Sequence, residues 1–258
     1  MKTLILCGGY GSRLGSISEN KPKPMVEIGN KPMLWHIMKL YDSYNYRDFV
    51  LLTGYKSNVI KEYFMNFNIY NNNFKVNLKK RSIDFLEDNN QIPDWEVTLL
   101  DTGVDTLKGG RIKKAQKYVE DENFFLTYGD GISDINIKEL LEFHKSHGKI
   151  ITVSGVKPPS RFGELIVQGN KVESFEEKPQ VSNGLINGGF MVCNKKLFEY
   201  LNDSVDCDFE FGVMEKLAKE GEVMVYKHNE FWECVDNERD LIYLNRLWSE
   251  SNAPWKKW

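Results

Sequence analysis

Runs of consecutive apolar residues alternate along this chain with stretches in which apolar positions recur every three or four residues. Leu4, Ile5 and Leu6 form the first run and residues 48–53 (DFVLLT) the second; WEVTLL, FFLTY, IITV, GGFMV and EVMVY follow in order. Such runs read as strands buried on both faces of a mainly parallel sheet. Between the first two, Met33, Leu34, Ile37, Met38 and Tyr41 share one face of a helix that Pro32 opens, and after the second Val59, Ile60, Tyr63, Phe64 and Phe67 do the same. Further helices are expected from near Arg111, over NIKELLEFHKSHG, over Phe209 to Lys219 with Gly221 closing it, and at the end with Leu241, Leu244 and Leu247.

The pattern breaks twice. Residues 68–95 are rich in asparagine, with weak strand signals around Phe74 to Leu78, and read as an extended excursion. Residues 158–179 (PPSRFGELIVQGNKVESFEEKP) read as a hairpin around Gly169 and Asn170, which puts an antiparallel part into the fold. A chain of 258 residues with 41% hydrophobic content is long enough for one substantial α/β core, and no second domain is required.

Candidate chemistry begins where the first strand ends. Gly8, Gly9 and Gly11 follow it at once, so backbone N–H groups lie bare at a strand's carboxyl end, and Arg13, Lys21 and Lys23 come next. A Walker A loop would need a Gly-Lys pair at a spacing that is absent, and a dinucleotide fingerprint would need a glycine where Arg13 or its neighbours stand. Bare amides, a guanidinium and the ammonium of Pro22-Lys23-Pro24 remain, a grip suited to a triphosphate. Asp130, between Gly129 and Gly131 at another strand end, is a good ligand for a hard cation such as Mg²⁺, although Gly-Asp-Gly also satisfies turn chemistry. Thr106, Gly109, Gly110 and Arg111 follow a third strand end and are placed to meet a nucleotide; a glycine-capped loop with a solvated arginine would read the same.

Charge and cysteines narrow the partners. A net charge of −3 argues against a nucleic-acid surface, which would demand a basic face. Cys7, Cys193, Cys207 and Cys234 show no C-x-x-C spacing, and no signal peptide or long apolar run is seen, so a reduced cytoplasmic protein away from the membrane is expected. His36, a lone imidazole among apolar neighbours, reads as a packing residue. Trp255 and Trp258 need a covering surface, within the chain or between subunits.

GGYGSRL and KPKPM, followed by MVEIGNKPMLWHIMKLY, GYKSNVIKEYF, VTLLDTG, GGRIKK, FLTYGDG, PPSRFGEL, SFEEKP, INGGF and APWKKW, resemble the sugar-phosphate nucleotidyltransferases, above all those that join CTP to glucose 1-phosphate. The resemblance spans nearly the whole chain. It implies a Rossmann-like, mixed but mostly parallel central sheet flanked by helices, with a small antiparallel appendage on the acceptor side. Residues 1–258 would form one domain, with a nucleotide half to about residue 135 and an acceptor half from about 136. It further implies that Leu6, Cys7, Gly8, Gly9, Gly11, Ser12, Arg13, Lys23, Thr106, Arg111 and Gly129 bind the nucleotide, with Arg13 and Lys23 acting in catalysis. Glu177, Lys178 and Asn187 would bind the acceptor, Asp130 and Asp236 would hold Mg²⁺, and the enzyme would be a homo-oligomer.

Departures from the family pattern gather on the acceptor side. Glu230-Phe231-Trp232 and Val235-Asp236-Asn237 stand where Gly-Phe-Trp and Met-Asp-Thr are common, and Phe209-Glu210-Phe211-Gly212-Val213 keeps one of the two glutamates of Trp-Glu-x-Glu-Pro. They leave open a cytidylyltransferase for another sugar, polyol or phosphorylated amide. A nucleotide-binding regulatory protein without turnover is the rival from a different class.

Overall fold

The computed structural model describes residues 1–11, 20–86, 92–157, 164–168, 171–176 and 184–258. Its central sheet has seven strands: β1 (Thr3–Cys7), β2 (Asp48–Thr53), β3 (Glu96–Asp101), β4 (Asn123–Tyr128), β5 (Ile151–Val156), β6 (Ile186–Asn194) and β7 (Val223–His228). They lie in the order β7-β5-β6-β4-β1-β2-β3. All neighbours are parallel except β6, which runs antiparallel to both β4 and β5. The mixed, mostly parallel sheet is therefore as expected, and the hairpin Glu164–Gln168/Lys171–Glu176 is a separate two-stranded ribbon.

Continuous apolar runs serve two layers at once. Leu4, Val50, Leu52, Phe124 and Leu126 face one layer, with Ile112, Phe209 and Leu217. Their neighbours Ile5, Leu51 and Phe125 face the other, with Leu34, Ile37, Tyr41, Leu140 and Leu244. The α-helices over the two faces are α1 (Met33–Asp42), α2 (Ser57–Met65, which adds Ile60), α3 (Lys108–Lys114), α4 (Ile137–His147), α5 (Glu215–Lys219) and α6 (Glu238–Ser249). Asn136 caps α4 by accepting from the N–H groups of Lys138 and Glu139, and Gly148, at φ 64°, ends it in a left-handed turn.

Two expectations shift. The helix expected from near Arg111 begins at Lys108, so Arg111 lies inside α3. The helix expected over Phe209 to Lys219 is two pieces: Phe209–Met214 is a widened π turn and only Glu215–Lys219 is α-helical. Asp208 accepts from the Phe211 N–H at 2.8 Å, and Phe211 takes a non-helical ψ of 40°, which opens the turn.

The terminal tryptophans are covered within the chain. Trp255, 1% exposed, donates its indole N–H to His36 Nδ1 at 3.3 Å and stacks on Phe231 and Trp248; Trp258 meets Trp35 edge-on. His36 in turn gives its Nε2 proton to the Ile28 carbonyl at 2.9 Å. Burial pushes its pKa down to about 4, so the imidazole is a neutral packing residue.

Candidate active site

Strand order reverses at β1, with β2 and β3 on one side and β4 on the other, and ligands of open α/β sheets bind outside the carboxyl ends of strands at such a switch point. A cavity of about 460 Å³ lies there. Leu6, Cys7, Gly8, Gly9, Gly11, Lys23, Thr106, Arg111, Gly129, Asp130 and Asp236 line it, so residues distant in the chain are brought together as expected. A second cavity of about 230 Å³ adjoins it, reaches Asn187, and shares Lys108, Tyr128, Asp130 and Asp236 with the first. Ser12, Arg13, Glu177 and Lys178 lie outside the described residues.

The first cavity is framed by Arg111. Its guanidinium, 4% exposed, donates to the carbonyls of Gly8 (3.1 Å), Thr53 (3.2 Å), Gly103 (2.7 Å) and Val104 (2.9 Å) and to Thr102 Oγ1 (2.6 Å). One side chain thus ties together the ends of β1 and β2 and the loop after β3. Burial pulls its pKa down, with Asp101 opposing. Gly8 and Gly54 flank the group so closely that an added Cβ would sit 2.2 and 2.3 Å from Nη1. Gly54, directly after a strand, lines neither cavity, but it gives Arg111 its room, a role that the sequence reading missed.

Other glycines have similar reasons. A Cβ on Gly129 would fall 2.8 Å from Pro24 Cγ and 2.9 Å from the Leu6 carbonyl oxygen. Gly109 and Gly110 do not face a nucleotide as expected: their Cβ positions point at the carbonyl oxygens of Cys207 (2.7 Å) and Ser204 (2.4 Å), where α3 packs against that segment. Thr106, also buried, donates its hydroxyl proton to the Thr102 carbonyl at 2.7 Å and so braces the cavity wall.

Lys23 lines the first cavity, beside the two aspartates that both cavities share. The tight turn Lys23–Met25, entered through Pro22, delivers its ammonium to Asp130 Oδ2 at 2.8 Å and Asp236 Oδ1 at 2.9 Å. Burial alone would lower the lysine's pKa, but the carboxylates, Asp130 foremost, more than offset this and raise it. The two aspartates arrive from different elements, the end of β4 and the segment between the strand Trp232–Cys234 and α6.

The departures find local explanations. Asn237 is the N-cap of α6, accepting from the Asp240 N–H at 3.1 Å while Asp240 bonds back to the Asn237 N–H at 3.2 Å. Asparagine and threonine are both competent caps, so this change leaves the cavities alone. Glu230 is exposed and lines neither cavity, and Gly212 faces open space. The retained glutamate, Glu210, does reach the site: Oε1 accepts from the Tyr128 hydroxyl at 2.7 Å and pairs with Lys108.

A crevice at a topological switch point, with two aspartates shared by adjoining cavities and a buried lysine paired to both, is the site that this fold offers to ligands. The chain matches the nucleotidyl transferase family over residues 2–250 and belongs to it. It is 44% identical over 260 residues to the glucose-1-phosphate cytidylyltransferase of Salmonella typhi, and 43% identical to that of Salmonella typhimurium, covering the whole of each chain. The fold resembles that of HddC from Yersinia pseudotuberculosis, with a TM-score of 0.70, 24% identity, and 96% of this chain and 99% of that one covered.

Proposed function

We propose that this nucleotidyltransferase joins CTP and α-D-glucose 1-phosphate to give CDP-glucose and pyrophosphate. The carrying observation is the pair Asp130 and Asp236 at the seam of two cavities, both bound to the Lys23 ammonium of the first. In this reading the first cavity takes CTP and the second takes the acceptor. An acceptor phosphate oxygen attacks the α-phosphorus of CTP, forming one P–O bond as the bond to pyrophosphate breaks. No enzyme nucleophile is needed, and no general base either, because a phosphate monoester is largely ionised near neutral pH. The burden is alignment and charge neutralisation.

Lys23, with Arg13, would meet the phosphates of the nucleotide, and Lys178 with Glu177 and Asn187 would hold the acceptor. Asp130 and Asp236 offer hard carboxylate oxygens within reach of one cation's position, which suits Mg²⁺. Among the described residues no group of three carboxylate, thiol or imidazole side chains could hold a metal ion, so the cation would take its remaining ligands from phosphates and water. When bound there it supplies charge neutralisation at phosphoryl oxygens. No helix among the described residues is long and apolar enough to cross a membrane. The hairpin Phe74–Asn77/Ser82–Phe85 exposes Phe74, Val76, Ile83 and Phe85, an apolar face that supports assembly of copies into a homo-oligomer.

The sequence similarity to the Salmonella enzymes supports the choice of CTP and glucose 1-phosphate. Asp130 and Asp236, both in contact with Lys23, count against a regulatory protein without turnover. Pyrophosphate release, measured for four nucleotides against several phosphates, tests the whole reading. Rapid release only with CTP and glucose 1-phosphate is expected; release with CTP and a non-sugar phosphate alone would replace the acceptor and leave the rest standing.

A further inference from the structure

Four side chains join in one hydrogen-bonded chain beside the second cavity. Glu210 Oε1 accepts from the Tyr128 hydroxyl at 2.7 Å and from the Lys108 ammonium. The Tyr128 oxygen accepts from Asn187 Nδ2 at 3.2 Å, and Asn187 Oδ1 accepts from the Gly189 N–H at 2.8 Å. Lys108 Nζ also stands 4.9 Å from the centroid of the Tyr128 ring.

The links are directed from both ends, by Glu210, which can only accept, and by the Gly189 N–H, which can only donate. A carboxylate can only accept, so Tyr128 commits its single proton to it, and the phenol oxygen is left to accept. Burial, reinforced by Glu210, pushes the Tyr128 pKa up, so that proton stays. Asn187 must then turn its NH₂ toward Tyr128 and its carbonyl toward Gly189. What it retains for a ligand is one N–H, a donor, suited to a hydroxyl or phosphate oxygen.

We propose that Glu210 is a positioning residue for the acceptor: through Tyr128 it fixes Asn187 as a hydrogen-bond donor in the second cavity, and it holds Lys108 where the two cavities meet. The proposal rests on the reading of the second cavity as the acceptor's. A plain surface pair between Lys108 and Glu210, whose side chains are 49% and 28% exposed, would contribute little to stability and would leave substrate affinity untouched.

The test compares Tyr128→Phe, Glu210→Gln and the double variant with the wild type, reading pyrophosphate release for the acceptor and calorimetry for CTP. Each single change is expected to raise the acceptor KM on the order of tenfold, the size of one hydrogen bond to a well-placed group, and to affect CTP affinity far less, although Tyr128 and Lys108 line both cavities. The double variant should lose no more than the worse single, because both act through one contact. An unchanged acceptor KM, additive losses, or equal weakening of CTP overturns the proposal. If Glu210→Gln does not fold, Tyr128→Phe, which keeps the ring, decides by the KM split alone. Absence of CDP-glucose formation by the wild type counts against the acceptor reading only; the same variants are then compared on the phosphate that the wild type uses, with the same effect, mainly on the acceptor, expected.

Discussion

The two cavities are walled in different ways. The first is built from backbone brought close: Gly8, Gly54 and Gly129 stand where any side chain would strike Arg111, Pro24 or a carbonyl, and Arg111 binds the strand ends together from behind. The second is built from side chains that orient one another, Glu210 through Tyr128 to Asn187. A wall of backbone presents fixed amides, as repeated phosphate groups require, and a wall of side chains can be re-specified by single substitutions, as a choice among acceptors requires. Asp130 and Asp236 line both cavities and so belong to neither wall alone, and Lys23, which lines the first, pairs with both.

The largest effects should therefore come from that seam. Asp130→Asn or Asp236→Asn is expected to lower turnover by on the order of 10³-fold or more while circular dichroism stays native, because in the proposed reaction each removes charge from the point where both substrates would meet. A loss confined to the KM of one substrate would break the comparison, by assigning the aspartates to a single wall.

Next in size are changes behind the first cavity. Arg111→Lys keeps one charge but cannot serve the four carbonyls and the Thr102 hydroxyl that the guanidinium now reaches, and unpaired buried acceptors cost about 1–3 kcal/mol each. We expect a stability loss of about 3 kcal/mol by urea unfolding, CTP affinity down on the order of tenfold or more, and an acceptor KM close to normal. Gly54→Ala, which pushes a methyl into the same guanidinium, should give the same profile at about 1–3 kcal/mol. If either variant weakened the acceptor and spared CTP, the assignment of the cavities would be reversed.

This difference in construction also decides what the sequence could tell. Strands, glycine loops and the Pro22-Lys23-Pro24 turn are local signals, so the sheet and most of the first cavity were legible, and the family resemblance supplied Arg111 and Asp236. The Tyr128–Glu210 bond joins residues 82 apart, and Lys108–Glu210 joins residues 102 apart. Neither separation leaves a mark in periodicity, so this network was missed, although Glu210 was in view as the glutamate that survives an otherwise altered motif. Asn237 was misjudged as a mark of the acceptor when Asp240, three residues on, already signals a cap. Gly109 and Gly110 were read as nucleotide contacts because a glycine needed for close helix packing looks the same in sequence as one that admits a phosphate.

The smallest effect that still separates the cavities is expected from Asn187→Ala. Its carbonyl and one N–H are spent within the protein, on Gly189 and Tyr128, which leaves a single donor for a ligand. Losing one hydrogen bond to a neutral oxygen costs about 0.5–1.5 kcal/mol, or a rise in acceptor KM of up to about tenfold. The contact is present before reaction as well as during it, so kcat should hold and the change should lie in KM. CTP binding, measured by calorimetry without acceptor, should be unaltered, because Asn187 lines only the second cavity. A fall in kcat at unchanged KM would instead mean that this amide meets charge that develops only in the transition state, and the second wall would then share in the chemistry assigned to the seam.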